Sequence, residues 1–236
     1  MNPATLSTRL GSLFPPGAVA AELCAPGEPE LLLPAEAMHM GRAVRKRVQE
    51  FASGRLCARR ALAEFGIDDF AIRVADDRQP IWPDSIVGSI THTRGYGAAV
   101  VAERRSMGAL GLDSEVVGDV GAKLWPSICV PMETAWIGSL PASEQAAAVT
   151  LVFSAKEAFY KCQYPLVREH LNFHDVRVEA PAWGAASGSY MIHATRSIAL
   201  CKRTALPLTG RFLFHQELVT TGLALAGTAA AADSAQ

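Results

Sequence analysis

Hydrophobic side chains in the stretch 36–65 recur at alternating spacings of three and four residues. The residues that follow this spacing are Val44, Val48, Phe51, Ala58, Leu62 and Phe65. One face of an α-helix repeats in this way, so the pattern predicts a helix over about 36–65. Gly66 comes next, and glycine is the residue type that most readily ends a helix in the left-handed conformation. The residues before this helix are rich in proline and glycine and predict irregular structure with at most one strand.

Downstream, short hydrophobic runs are separated by proline, glycine and aspartate. The runs that predict strands are 71–74, 86–91, 98–102 and 109–113. The stretch 116–143 holds several glycines and prolines and predicts a loop with short helical pieces. A second helix is predicted over about 144–163. Further strands are predicted near 174–179, 189–194 and 211–224.

The predicted elements therefore run helix plus strands, then helix plus strands again. This order indicates an α+β fold of two similar α/β halves, 1–105 and 106–226, joined near 103–108. No self-similarity in the sequence establishes a duplication. The alanine-rich stretch 227–236 has little to pack and predicts a disordered tail.

Composition narrows the function classes. Of 236 residues, 50% are hydrophobic and 19% are charged, which suits a chain with a sizeable core. The net charge of -1 excludes a globally basic nucleic-acid-binding surface, so any anion site must be local. Five scattered cysteines without a C-x-x-C pair favour free thiols in a reducing compartment over a zinc site. With no convincing targeting segment or membrane span, we expect a cytoplasmic protein that does not bind membranes.

Arg55 is placed unusually for a cation. It lies seven residues after Val48 and seven before Leu62, in the middle of the predicted hydrophobic face. A buried guanidinium needs a carboxylate or a phosphate partner, because an unpaired buried charge is costly. Arg47 lies at the edge of the same face, and together the two could grip one polyanion. The pattern leaves an internal ion pair and a ligand contact for Arg55 equally open.

Two further groups of polar residues follow predicted strands. In Gly88-Ser89-Ile90-Thr91-His92, the histidine stands at a strand end, where α/β proteins tend to present ligand groups, although a structural histidine is the commoner case. Asp113 and Glu115 are two residues apart in an extended segment and would point the same way. Two facing carboxylates favour Mg²⁺, and the alternative is an acidic turn after the strand.

The last group of polar residues lies on the second predicted helix. Glu157 and Lys161 are four residues apart and share one helix face, with Lys156 adjacent. This spacing is typical of a surface ion pair. Ser154 and Glu157 also match a capping box, which would give the glutamate a structural role.

Together these motifs carry a resemblance that spans roughly residues 40–165. They are Arg47-x7-Arg55-x3-Arg59, Pro80-Ile81-Trp82-Pro83-x4-Gly88-Ser89-Ile90-Thr91-His92, Gly111-Leu112-Asp113-Ser114-Glu115 and Phe153-Ser154-Ala155-Lys156-Glu157-x3-Lys161. The sequence resembles the 4'-phosphopantetheinyl transferases, in the Sfp-type branch nearest the enterobactin-synthase component D enzymes. The resemblance implies two α/β halves related by a pseudo-two-fold axis, with the ligand cleft between them.

The resemblance also implies an activity. A Mg²⁺-dependent enzyme would transfer the 4'-phosphopantetheine of coenzyme A to a serine of an apo acyl- or peptidyl-carrier protein and release adenosine 3',5'-bisphosphate. Carriers of fatty-acid, polyketide, siderophore or nonribosomal-peptide synthesis all present the same serine. One chain would supply the whole cleft, so a monomer is expected. The alternatives are a non-catalytic coenzyme A-binding module and a Mg²⁺-dependent phosphoanhydride hydrolase.

Roles for individual residues follow from the same resemblance. The N-terminal half would supply the coenzyme A phosphate contacts, and the C-terminal half the metal site and the catalytic helix. The coenzyme A contacts would be Arg47, Arg55, Ser89, His92, Lys156 and Lys161. The Mg²⁺ ligands would be Asp113, Glu115 and Glu157. Glu157 and Lys161 would be catalytic, with Glu157 as the base for the carrier serine, and its two lysine neighbours should lower its pKa.

Two features lie outside this assignment. Some family members carry Gly-Lys-Pro where this chain has Arg78-Gln79-Pro80, so the cation is displaced. Trp125 and Trp136 lie in the predicted loop region, where packing or carrier docking would use them.

Overall fold

The computed structural model of the protein describes residues 3–41 and 43–227. The helices are α1 (Thr8–Gly11), α2 (Pro34–Ala37), α3 (Arg45–Leu62), α4 (Trp125–Ile128), α5 (Pro131–Ser139) and α6 (Ala142–Val167). The strands are β1 (Thr5–Leu6), β2 (Val19–Leu23), β3 (Ile86–Thr93), β4 (Tyr96–Glu103), β5 (Met107–Val116), β6 (Val176–Glu179), β7 (Ser187–Ala194), β8 (Leu208–His215) and β9 (Leu218–Ala226). None of the helices in these ranges has both the length and the hydrophobicity to cross a membrane.

The first predicted helix is shorter than its pattern suggested. It begins at Arg45, and a separate short helix, α2, precedes it. Its end is confirmed, because a 3₁₀ turn runs over Ala63–Phe65 and Gly66 then takes the left-handed conformation with φ 68°. The predicted second helix is confirmed and longer, running to Val167 as α6.

The strand predicted over 71–74 is wrong. This stretch makes an isolated bridge between Val74 and Pro80. The reason lies in the backbone of Ile72, whose amide donates to a Glu36 carboxylate oxygen (3.0 Å) and whose carbonyl accepts from Arg55 Nε (3.0 Å). Side chains, not a neighbouring strand, therefore pair these backbone groups. The single strand predicted over 211–224 is two strands, β8 and β9, joined at Gln216, which has φ 54°.

The chain divides into two compact units. The first unit comprises residues up to Leu110 and from Ala224 onward, and the second comprises Gly111–Leu223. The predicted boundary at 105/106 stays a prediction. Of the predicted tail, 228–236 lies outside the described residues, and the amide of Gly227 donates to the carbonyl of Ser106 at 3.2 Å.

In the first unit, α3 packs on an antiparallel sheet of order β1-β2-β4-β3. The helix approaches closely because Gly54 faces Ile90, whose Cγ2 would lie 2.5 Å from a Cβ at that position. A Cβ at Gly97 on β4 would likewise lie 2.4 Å from Ser53 Oγ. These two close approaches fix the distance between α3, which carries the arginines, and the sheet.

In the second unit, α6 packs on a sheet of order β5-β9-β8-β7-β6. The closest approach is at Gly111 on β5, where an added Cβ would stand 1.9 Å from the carbonyl oxygen of Ala158 on α6. Strand and helix backbones therefore touch at this point. Asp113 follows Gly111 by two residues on the strand, and Glu157 immediately precedes Ala158 on the helix. Both acidic residues therefore lie next to this contact.

Each unit, taken alone, has the same order of elements. A strand (β2 or β5) precedes the long helix, antiparallel strands follow, and the last of these lies beside the first strand. The predicted α+β fold with two similar halves is confirmed in this respect.

Candidate active site

The second unit brings four of the predicted residues together at the contact between β5 and α6. The ammonium of Lys161 donates to Asp113 Oδ1 at 2.7 Å and to the carbonyl of Leu112 at 3.3 Å. Asp113 is 3% exposed. Asp113 and Glu115 lie inside β5 and not in a turn, so the acidic-turn alternative is wrong. Lys161 pairs with a carboxylate on the strand and not with Glu157, so the surface ion pair is also wrong.

Three carboxylates share this region, and the pKa values of Glu115 and Glu157 are raised by it. Burial, and then the charges of Asp113 and Glu157, raise the pKa of Glu115 to about 8, although Lys161 opposes them. Burial and then the charge of Asp113 raise the pKa of Glu157, again against Lys161. The expected lowering of the Glu157 pKa is therefore wrong. Desolvation and a facing carboxylate outweigh the one lysine that reaches the site.

The donor set suits a hard divalent cation. It consists of carboxylate oxygens, and three of them against one ammonium leave an excess of negative charge in a partly buried place. Within 3–41 and 43–227, no three His, Cys, Asp or Glu side chains already stand in a metal-ligand arrangement. The chemistry of the residues fits Mg²⁺, and the ion stays a prediction.

Glu157 has no capping role. Ser154, its supposed partner, lies well inside α6, which begins at Ala142, and its hydroxyl pairs with the hydroxyl of Thr221 at 2.9 Å. A cavity of about 320 Å³ opens beside Glu157 in the second unit. Its other lining residues are Ser127, Lys156, Phe159, Tyr160, Leu171, Asn172, Phe173 and Val176. The carboxylate thus stands at the wall of a largely apolar cavity.

Lys156 points away from this carboxylate cluster. Its ammonium donates to Glu133 Oε2 (2.7 Å) and to the carbonyls of Ile128 (2.8 Å) and Phe173 (2.9 Å). Burial lowers the pKa of Lys156, and the Glu133 carboxylate opposes that shift. Its three protons are used inside the protein, so the structure does not join Lys156 to the other predicted coenzyme A contacts.

The first unit brings Arg47 and His92 together. Arg47 Nη1 lies 3.2 Å from His92 Nε2, and the arginine side chain is 53% exposed. Strand alternation explains why Ser89 is not with them. Ile90 and His92 face α3, whereas Ser89 is buried on the opposite face of β3.

Arg55 is buried without a carboxylate partner. Its guanidinium carbon stands 4.0 Å over the Phe51 ring, and Nε donates to Ile72. Burial lowers its pKa to about 10. Glu36, the buried carboxylate on this side, pairs with Arg59 instead. Among the described residues of the first unit, Arg55 makes no ion pair, so the internal pair is not formed and the ligand contact stays a prediction.

Two buried carboxylates that pair with cations near the candidate residues were missed from the sequence, Glu36 and Glu133. Each lies three residues after a helix N-cap and bonds its backbone amide, Leu33 in one case and Val130 in the other. A proline at the first helical position and a glutamate at the third was the available signal. It indicates a helix start, but it does not indicate that each carboxylate also pairs with a cation from a distant segment. Trp125 and Trp136 are both half-buried, and the ring of Trp136 packs edge to face on the ring of Trp183, with the ring centroids 5.4 Å apart.

Comparison with known proteins now bears on this geometry. A family model described as the 4'-phosphopantetheinyl transferase N-terminal domain matches residues 35–102, and one described as the 4'-phosphopantetheinyl transferase superfamily matches 109–209. The 4'-phosphopantetheinyl transferase Svp of Streptomyces mobaraensis is 33% identical over 95% of this chain and 92% of its own length. The corresponding enzyme Npt of Nocardia iowensis is 32% identical over 91% of this chain and 99% of its own length.

The chain belongs to the 4'-phosphopantetheinyl transferase superfamily. The resemblance first seen in four motifs is confirmed over nearly the whole length. Enterobactin synthase component D of Salmonella typhi is 38% identical, over 50% of this chain and 48% of its own length. The chain is accordingly an enzyme, a phosphopantetheinyl transferase, and the two motif-bearing regions fall within the two matched family regions.

Proposed function

We propose that this phosphopantetheinyl transferase moves the 4'-phosphopantetheine of coenzyme A to a serine of an apo acyl- or peptidyl-carrier protein. The observation that carries the proposal is the carboxylate and lysine cluster at the Gly111–Ala158 contact. In the reaction, a bond forms between the serine oxygen and the phosphorus that bears the pantetheine. The bond from that phosphorus to the departing phosphate breaks, and adenosine 3',5'-bisphosphate leaves.

Glu157 is the proposed base. It lines the cavity, where its carboxylate can accept a proton from a bound serine hydroxyl. Its carboxylate oxygen takes the proton of the serine hydroxyl as the new bond forms. Lys161, which is held by Asp113, supplies positive charge for the pyrophosphate.

Asp113, Glu115 and Glu157 would hold Mg²⁺. When bound, the ion would neutralise charge on the pyrophosphate and on the leaving phosphate. A metal requirement also accounts for the placement of Glu115 and Glu157 beside Asp113, whose charge disfavours their ionised forms.

The phosphate at the adenosine end suits the first unit. Arg47 is exposed and donates to Nε2 of His92, and Arg55 adds a guanidinium that is already oriented by Phe51 and Ile72. Such pre-ordered forks bind phosphate with little further loss of side-chain freedom. Ser89 lies on the other face of β3, so we assign this role to the other three residues.

The narrow pantetheine arm suits the cavity of about 320 Å³ in the second unit. Its aromatic and aliphatic lining fits the methyl and methylene groups, and Asn172 offers amide groups to the peptide-like bonds. Glu157 is one of the residues that line the cavity, so an arm within it would lie beside the proposed base.

The experiment is incubation with coenzyme A, Mg²⁺ and an apo-carrier protein, followed by intact-mass analysis of the carrier. Transfer adds the mass of one phosphopantetheine group, and Glu157→Gln abolishes the gain while coenzyme A still binds. Glu179→Gln removes a carboxylate from an exposed pair on β6 and serves as the matched control. Binding without any product would support the non-catalytic module, and cleavage of coenzyme A without a carrier would support the hydrolase. Either result would refute the transferase proposal.

A further inference from the structure

Glu133 and Lys156 form a buried ion pair with an unusual number of backbone partners. Each side chain is 1% exposed, and Nζ lies 2.7 Å from Oε2. Besides the lysine, Glu133 accepts the amide of Val130 at 2.7 Å and the amide of Val178 at 2.6 Å. Lys156 donates in addition to the carbonyls of Ile128 and Phe173. All three lysine protons and both carboxylate oxygens are satisfied.

These bonds tie together three separate segments of the second unit. Ile128, Val130 and Glu133 belong to the end of α4 and the start of α5, Lys156 belongs to α6, and 173–178 includes the start of β6. The same segments wall the cavity beside Glu157, through Ser127, through 156–160 and through 171–176. The pair is therefore the polar junction at which the walls of the cavity meet.

The pair also fixes the rotation of α6 about its axis. Successive helix side chains diverge by about 100°, so Lys156 and Glu157 must point in different directions. Lys156 is held by Glu133 on one side of the helix, and Lys161 is held by Asp113 on another. Glu157 lies between these two anchors. A change at the first anchor turns the proposed base relative to the carboxylates of β5.

Contact between Lys156 and a coenzyme A phosphate would require breaking this junction. The ammonium would have to leave three acceptors at 2.7–2.9 Å and abandon a buried carboxylate. An uncompensated buried charge of that kind is strongly unfavourable.

We infer that Glu133 and Lys156 act as one positioning pair, which holds Glu157 and the cavity wall in place for transfer without touching the phosphates. The inference rests on the proposed function. It assigns Glu133 a part in the reaction that the sequence did not reveal, and it changes the predicted role of Lys156 from phosphate contact to positioning.

The test compares Glu133→Gln, Lys156→Met and the double variant, with Lys202→Met, an exposed lysine of the same unit, as the matched control. Steady-state transfer gives kcat and KM, and calorimetric titration at several salt concentrations gives the coenzyme A affinity and its salt dependence. For a positioning pair, each single variant lowers kcat by roughly 10- to 100-fold, the scale of a displacement of about 1 Å. The double variant is then no worse than the poorer single one, because the two residues act as a unit. The salt dependence of coenzyme A affinity does not change, because no phosphate contact is lost.

Other outcomes overturn the inference. If Lys156→Met weakens coenzyme A binding and flattens its salt dependence while Glu133→Gln does not, Lys156 is a phosphate contact. If all three variants transfer at the wild-type rate, the pair positions nothing. Should a single variant fail to fold, the double variant, which buries no charge, still gives the salt dependence that decides the point. Failure of the proposed function is distinct, because the wild-type protein would then show no transfer at all.

Discussion

Gly111→Ala tests whether the contact between strand and helix builds the active site. The new Cβ would stand 1.9 Å from the carbonyl oxygen of Ala158 and 2.9 Å from Cys162 Cβ. Cβ atoms essentially never come within 3.0 Å of another heavy atom, so β5 and α6 must move apart by about 1 Å. Overpacking of this kind costs roughly 1–3 kcal/mol of unfolding free energy. Asp113 and Glu157 ride on the two elements that separate, so transfer should fall by about 100-fold.

The assay pairs thermal unfolding with carrier modification followed by mass analysis. We expect Tm to fall by roughly 3–10 °C, because each kcal/mol shifts it by a few degrees in a chain of this size. Gly138→Ala on α5 is the matched control, since a Cβ there meets nothing within 4 Å. That variant should keep its transfer rate and gain up to about 1 kcal/mol in unfolding free energy. A Gly111→Ala protein with wild-type Tm and wild-type transfer would refute the reasoning, as would a large loss of Tm with an unchanged rate per folded molecule.

Three further predictions concern ionised groups. The pKa of Glu115 is raised to about 8 in the folded protein from an ordinary value of 4.5, so the unfolded state loses this proton first and the free energy of unfolding should fall between about pH 4.5 and 8. Glu115→Gln should remove this fall in urea titrations without divalent ions, and an unchanged pH slope would contradict the assignment. Arg55→Lys replaces the several N–H donors of the guanidinium with one ammonium and should weaken coenzyme A binding by about 10-fold in calorimetry. Arg45→Lys, at the exposed start of α3, should leave binding unchanged. Equal effects of the two variants would show that Arg55 does not contact coenzyme A. Glu36→Gln breaks the ion pair of a buried carboxylate and should lower the free energy of unfolding by roughly 3 kcal/mol in denaturant titrations. The exposed Glu64→Gln should lower it by at most about 0.5 kcal/mol. Similar losses for the two variants would show that burial does not set the strength of the pair.

Helices in which the hydrophobic spacing repeats over many residues could be predicted from the sequence. A segment whose backbone bonds to distant side chains could not. The period of α3 and the length of α6 come from many residues that agree with one another, so both helices were found. The stretch 71–74 has the composition of a strand, yet the backbone groups of Ile72 bond to Glu36 and Arg55, which are distant in sequence. No local pattern contains that information.

The same distinction holds within the site. Asp113 and Glu157 could be selected as a pair because each is carried by a motif with characteristic spacing. The pKa of Glu157 could not be predicted, since it depends on burial and on a carboxylate that lies on another element. Lys156 shows the limit most clearly. Its neighbour in sequence is a proposed catalytic residue, but its own ammonium is turned through about 100° into a buried pair with Glu133.

By itself, the sequence determined the chemistry that this protein can carry: carboxylates and a lysine at set spacings, arginines on a helix, and the family to which those motifs belong. Only the tertiary structure decided which of these groups meet. Charge placement depends on backbone contacts between distant segments, such as Gly111 against Ala158, and on the desolvation that follows. Those two quantities arise only when the chain packs, and they separate Arg55, Lys161 and Glu157 from cations and acids that look the same in the sequence.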